Sequence, residues 1–182
     1  MGWIILIILV VLVLFVIGIY NNLVSLKMRV KNAWAQIDTQ LKRRFDLIPN
    51  LVETVKGYAK HESETLEKVI EARNKYVSGG SPTDAAAASS ELSNSLKSLF
   101  ALSEAYPDLK ANENFMALQT ELSGTEDKIA YSRQFYNDTV QRYNHAIMVF
   151  PNVLFARMFN FNEESFFQTN SVEERESVKV QF

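Results

Sequence analysis

No cysteine occurs anywhere in the chain, which removes disulfides, thiolate nucleophiles and Cys-ligated metals together. Histidine is almost as scarce, with two copies. His61-Glu62 begins like a zinc-protease helix, but Thr65 stands where the second histidine would have to be. His145 is isolated, and no Glu-x-x-His pair of the kind used in di-iron bundles occurs. There is no Gly-rich phosphate loop and no serine elbow. The many carboxylates, among them Glu64, Glu67, Glu71, Glu121, Glu126 and Asp127, read as solvated helix faces. The sequence therefore predicts no catalytic residue, no metal and no cofactor. A formal net charge of −2 provides no basic footprint, so no nucleic-acid partner is expected. Glycine (6) and proline (4) are few, and a chain with so few breakers is expected to be helical.

One long apolar run stands against these absences. Residues 3 to 19 read WIILIILVVLVLFVIGI, and the first charged side chain is Lys27. A helix of about 20 such residues spans the ~30 Å hydrocarbon core of a bilayer. The run has no polar stripe, as a buried soluble helix normally would. It also has no basic n-region and no small-residue cleavage site, so it reads as an uncleaved anchor. Trp3, Ile4, Leu9, Leu14 and Ile19 are expected within the lipid span, with Trp3 and Tyr20 at headgroup level. Lys27, Arg29 and Lys31 follow the span, and this charge bias favours a cytoplasmic folded part, N-out and C-in.

Beyond the anchor, Leu23, Leu26, Val30, Ala33, Ile37 and Leu41 keep helical spacing. A kink or a tight reversal is expected at Asp46-Leu47-Ile48-Pro49, with reversal favoured, since proline deletes a helical hydrogen bond and clashes one turn back. A second helix is expected from about 50 to 77, closed by Ser78-Gly79-Gly80. Ser81-Pro82-Thr83-Asp84 carries a cap residue, a proline for the first turn and an acid, so a third helix should run to about 105. Asn112 can cap a fourth that reaches about 149. Phe115, Leu122, Ile129, Tyr136, Tyr143 and Phe150 recur there every seventh residue, with Leu118, Val140 and Ile147 in the neighbouring row. Such a seam packs at a shallow, coiled-coil-like angle. The expected fold is all-α, an N-terminal transmembrane helix followed by an up-and-down four-helix bundle.

Three charges fall on apolar rows. Arg44 continues Val30 and Ile37; Glu62 lies between Val55 and Val69; Arg73 continues Val52, Ala59 and Leu66. A desolvated charge needs a partner, so these are read as a buried charge network that fixes helix register. Phe150, Phe155, Phe159, Phe161, Phe166 and Phe167 crowd a stretch poor in polar neighbours. They either fold back on the bundle end or form a membrane or subunit contact. Val178 to Phe182 alternates with period two and could pair as an edge strand. The layout is then an anchor at 1–20, a bundle at 21–151, and a Phe-rich segment and tail at 152–182.

Four ordered strings carry a further signal: VKNAWAQIDTQLKRRFDLIPNLVETVKGYAKHE at 30–62, LFALSEAYPDLKANENF at 99–115, ELSGTEDKIAYSRQFYNDTVQRYN at 121–144 and ERESVKVQF at 174–182. Together they resemble the LemA family over nearly all of the chain after the anchor. The resemblance implies a bacterial, membrane-anchored protein with an up-and-down helical bundle and no established catalytic activity. The functional expectation is a single-pass scaffold of the bacterial cytoplasmic (inner) membrane that self-associates, its partners being the lipid bilayer and further copies of itself. The alternative is an adaptor for other envelope proteins in stress response or membrane-protein quality control. A third reading, an enzyme or transport component, would need a site the sequence does not display.

Overall fold

The computed structural model describes residues 1–77 and 81–168, and within them every regular element is a helix. In chain order these are α1 (Gly2–Tyr58), α2 (Ser63–Val77), α3 (Pro82–Ser103), α4 (Pro107–Lys110), α5 (Glu113–Met148) and α6 (Asn152–Met158). The all-helical class and the long apolar N-terminal helix agree with the sequence. The expected turn at 78–80 and the expected C-terminal strand at 178–182 lie outside the described residues.

The main correction concerns Pro49. It sits inside α1, which runs unbroken for 57 residues, about 86 Å at 1.5 Å per residue. The reversal comes ten residues later, at Ala59–Glu62, where the amide of Glu62 bonds the carbonyl of Ala59 at 3.2 Å. Proline leaves the carbonyl four residues back without its helical donor. Here that carbonyl belongs to Phe45, and Arg73 Nε donates to it at 3.2 Å. A side chain from α2 thus gives the Phe45 carbonyl a hydrogen bond that Pro49 cannot, and the helix runs on through the proline.

The starts of α3 and α5 follow their local chemistry. Ser81 Oγ accepts from the Asp84 amide at 3.3 Å and Asp84 Oδ2 accepts from the Ser81 amide at 3.0 Å, a reciprocal capping box. Asn112 Oδ1 accepts from the Phe115 amide at 2.9 Å, leaving one fewer orphan donor in the first turn of α5. The four-residue α4 between them, begun by Pro107, is absent from the sequence-based expectation.

The chain divides into two compact units, and α1 and α5 contribute to both. The first comprises Met1–Gln40 with Lys128–Phe166. In it Leu23, Val30, Ala33 and Ile37 of α1 and Ile129, Tyr136, Val140, Tyr143 and Ile147 of α5 are buried, and Trp34 meets Tyr136 with ring centroids 5.7 Å apart. Residues 159–166 fold back along α5. Tyr143 Oη donates to the Asn162 carbonyl at 2.9 Å and Tyr136 Oη to that of Ser165 at 2.8 Å. Asn144 brackets Glu164, its Nδ2 donating to the backbone carbonyl and its Oδ1 accepting from the backbone amide, each at 2.9 Å.

The second unit comprises, of the described residues, those of Leu41–Asp127 together with Phe167 and Gln168. Its core holds Leu41, Phe45, Ile48, Leu51, Val52 and Val55 of α1, Leu66 and Val69 of α2, Leu92, Leu96 and Leu99 of α3, and Phe115 and Leu122 of α5. Each such side chain stabilises the fold by about 1.5–3 kcal/mol when fully buried. α2 and α3 pack directly on each other.

The heptad row of α5 holds from Phe115 to Tyr143 and then fails. Phe150 is exposed because α5 ends at Met148, and a seven-residue spacing keeps side chains on one face only while the helix lasts.

Candidate functional site

Arg44 is the largest fully buried side chain in the described chain, and its surroundings explain how a guanidinium can occupy an apolar row. On the facing helix α3, Ala85, Ala86 and Ser89 are buried, so small side chains leave room for the planar head. Arg44 Nη2 donates to Ser89 Oγ at 2.9 Å and to the Ser89 carbonyl at 3.0 Å. Nη1 donates to Ser93 Oγ at 3.0 Å and forms an ion pair with Glu126 on α5. Ser93 Oγ lies 2.8 Å from Glu126 Oε1 and 3.0 Å from the Ser89 carbonyl, with one proton to give. The pair is lopsided. Arg44 is wholly enclosed, whereas the Glu126 side chain is 48% exposed, so the carboxylate keeps water while the guanidinium depends on the protein.

Ser93 and Glu126 also line an open groove of about 650 Å³ beside α3 and α5. Leu96, Phe100 and Leu122 give it an apolar floor, and Lys97, Gln119 and Ser123 add polar groups. Nearby, Phe100 meets Phe115 edge-on with centroids 6.2 Å apart.

The other two charges singled out from sequence are held separately, each by a different partner. Glu62, half-buried at the α1–α2 reversal, accepts from Tyr106 Oη at 2.9 Å. That hydrogen bond, with burial and the carboxylate charge behind it, pushes the Tyr106 phenol above its ordinary pKa. Arg73 serves the Phe45 carbonyl. Both histidines are exposed, and no group of three or more His, Asp or Glu side chains among the described residues is placed to hold a metal ion.

In the first unit, Trp3, Ile4, Leu9 and Leu14 are exposed, and Ile19 is the first residue of the apolar run to be buried. The Phe-rich segment divides by position. Phe155, Phe161 and Phe166 are half-buried, Phe159 is exposed, and Phe167, in the second unit, is buried. Tyr20 meets Phe159 and Phe161 edge-on, with centroids 5.1 and 5.8 Å away.

The LemA family model matches residues 33–182, most of the chain. This chain belongs to the LemA family. Among its relatives is Protein LemA of Metamycoplasma hominis, 28% identical over 161 residues that cover 86% of this chain and 72% of the relative. The magnetosome proteins MamQ 1 and MamQ 2 of Paramagnetospirillum magneticum are each 23% identical over 175 residues, covering 82% of this chain. The match spans 64% of their length.

The LemA-like strings coincide with the structural devices just described. The string at 30–62 contains Arg44, Pro49 and the reversal, that at 99–115 contains α4 and the Asn112 cap, and that at 121–144 contains Glu126, Tyr136 and Asn144. The string at 174–182 lies outside the described residues. Family and structure together describe a membrane-associated helical protein, with one helix among the described residues, α1, long and apolar enough to cross a membrane. Sequence reasoning missed Glu126 as the partner of Arg44, having placed it on a solvated face. The available signal was Ser89 and Ser93 one helical turn apart in the Ala/Ser tract, offering hydroxyls on the face that Arg44 meets.

Proposed function

We propose that this LemA-family chain is a non-catalytic scaffold of the bacterial cytoplasmic membrane that associates with further copies of itself. The observation that supports it is an exposed aromatic pair on α5 of the first unit. Tyr131, 73% exposed, and Phe135 are one helical turn apart on the same face, and large exposed rings set together mark contact surfaces. Anchoring by α1 confines such contacts to two dimensions and raises their effective concentration.

Light scattering of the detergent-extracted full-length chain tests this reading. A discrete particle several times the 20.8 kDa chain mass, reduced to monomer in the double variant Tyr131→Ser, Phe135→Ser, is the expected result. A wild-type monomer in mild detergent and after crosslinking in the membrane refutes it. The basic residues Lys27, Arg29 and Lys31 after the span support a cytoplasmic folded part. On that orientation Tyr131→Cys reacts with an impermeant maleimide only after spheroplasts are opened.

The groove beside α3 and α5 favours a second reading, an adaptor that holds a segment of another envelope protein over Leu96, Phe100 and Leu122. It predicts heterologous crosslinks from Lys97 in place of a discrete self-assembly.

A further inference from the structure

The stretch around α6 carries apolar side chains that nothing in the first unit covers. Phe150 is 79% exposed, Leu154 58% and Met158 61%. They recur every fourth residue, while Ala156 between them is buried against the unit. Four-residue spacing within a helix puts Leu154 and Met158 on one stripe, so α6 has a covered face and a bare apolar one, and Phe150 stands exposed just before its first turn. Its C-terminal end is fixed. Phe161 N–H bonds the Ala156 carbonyl at 2.9 Å and Asn160 N–H the Arg157 carbonyl at 3.4 Å. With Asn160 at φ 58°, this is a Schellman closure.

The closure delivers Phe159 and Phe161 to Tyr20, in contact at both rings. Tyr20 immediately follows the apolar run, and Ile19 is where protein first covers that run. Tyrosine at the end of a span occupies the headgroup level. The C-terminal end of α6, where Met158 precedes Phe159, is therefore held at the residue that ends the apolar run.

We propose that Phe150, Leu154, Met158 and Phe159 form a foot that rests in the lipid headgroup region, making α6 an interfacial helix beside the α1 span. Lipid is the occupant because the stripe adjoins the span itself; at that level bilayer is present at every protein concentration, whereas a second chain is not. The foot gives the protein a second membrane contact and so limits how far α1 can tilt or rotate. The inference rests on α1 crossing the membrane and is independent of self-association.

The absence of cysteine allows one reporter per chain. Leu154→Cys and Met158→Cys are labelled with an environment-sensitive nitrobenzoxadiazole in the full-length protein, reconstituted in phosphatidylethanolamine/phosphatidylglycerol vesicles. Leu9→Cys reports the span, and exposed Gln134→Cys, about 21 Å along α5 from Met148, reports water. A group held about 5–10 Å into the headgroup and acyl boundary should lose roughly half its emission to nitroxide carried near the headgroup and less to nitroxide near the acyl end. Leu9→Cys should show the reverse order, and Gln134→Cys neither. Quenching at Leu9→Cys with none at positions 154 and 158 overturns the foot and leaves the anchor standing. No quenching at Leu9→Cys overturns both. Labels at 154 and 158 that are shielded from aqueous iodide yet untouched by either nitroxide also overturn the proposal, and assign the stripe to a protein contact.

Discussion

The Arg73 Nε–H donates to the carbonyl oxygen of Phe45 at 3.2 Å, the carbonyl that would receive an amide hydrogen from position 49 if that residue were not proline. The two should therefore be energetically coupled. Arg73→Met leaves the carbonyl without this donor and is expected to cost about 1–3 kcal/mol. In a Pro49→Ala background the helical amide returns and the same substitution should cost markedly less. A double-mutant cycle by denaturant unfolding in mild detergent measures the difference, and additive effects would separate Arg73 from the proline.

The lopsided burial of Arg44 and Glu126 makes an asymmetric prediction. Glu126→Gln takes a counter-charge from a fully enclosed cation and should destabilise by about 3 kcal/mol, at the lower end for a broken buried pair because the site opens to water on one side. Arg44→Met removes the cation and fills the space, and Glu126 retains solvent and Ser93. It should therefore be the milder change. Unfolding midpoints in the reverse order would show that the carboxylate, not the guanidinium, is the costly partner.

Alkaline stability should centre on Tyr136. Burial first, and then the nearby Glu164 charge, push its phenol up to about 12, against about 10 for an unfolded tyrosine. Folding thus favours the neutral phenol. Its contribution is complete below pH 10 and is lost between about pH 10 and 12, amounting to about 2–3 kcal/mol for a shift of that size. Tyr143 is shifted in the same direction by the same two causes. Midpoints followed from pH 8 to 12 should fall steeply in the wild type and less steeply in Tyr136→Phe. Equal slopes would remove Tyr136 as the titrating group.

Asn160 occupies the left-handed position of the α6 closure. Glycine reaches that conformation freely, so Asn160→Gly should be close to neutral. A β-branched side chain does not, and Asn160→Val should cost about 1–2 kcal/mol. Faster tryptic cleavage after Arg157 in the valine variant alone is the expected readout. Equal cleavage in both variants would mean that the left-handed turn does not hold the segment.

Most of the helical architecture was legible because it is written in short-range terms. Caps at Ser81 and Asn112 act over three residues, and the rows from Leu23 to Leu41 and from Phe115 to Tyr143 repeat within one or two turns. Pro49 was misread for the complementary reason. The rule against proline in a helix is local, and the donor that overrides it is 28 residues away. The same limit applies to Arg44. Its place on an apolar row is a local fact, but Glu126 is 82 residues distant, and nothing near either residue names the other. Phe150 fell under two readings in the sequence, the α5 seam by its spacing and the Phe-rich stretch by its neighbours, and the end of α5 at Met148 takes it off the seam.

The length of α1 also sets an order of events during synthesis. The apolar run and the face carrying Leu23 to Val55 belong to one helix, made before the residues of α2, α3 and α5 that cover that face. At about 5–20 residues per second, the 82 residues between Arg44 and Glu126 take roughly 4–16 s to emerge. Throughout that interval α1 carries part of its apolar face uncovered and the Arg44 guanidinium lacks Glu126. A nascent chain stopped before α5 should therefore bind holdase chaperones, and one extended past Ile147 should release them.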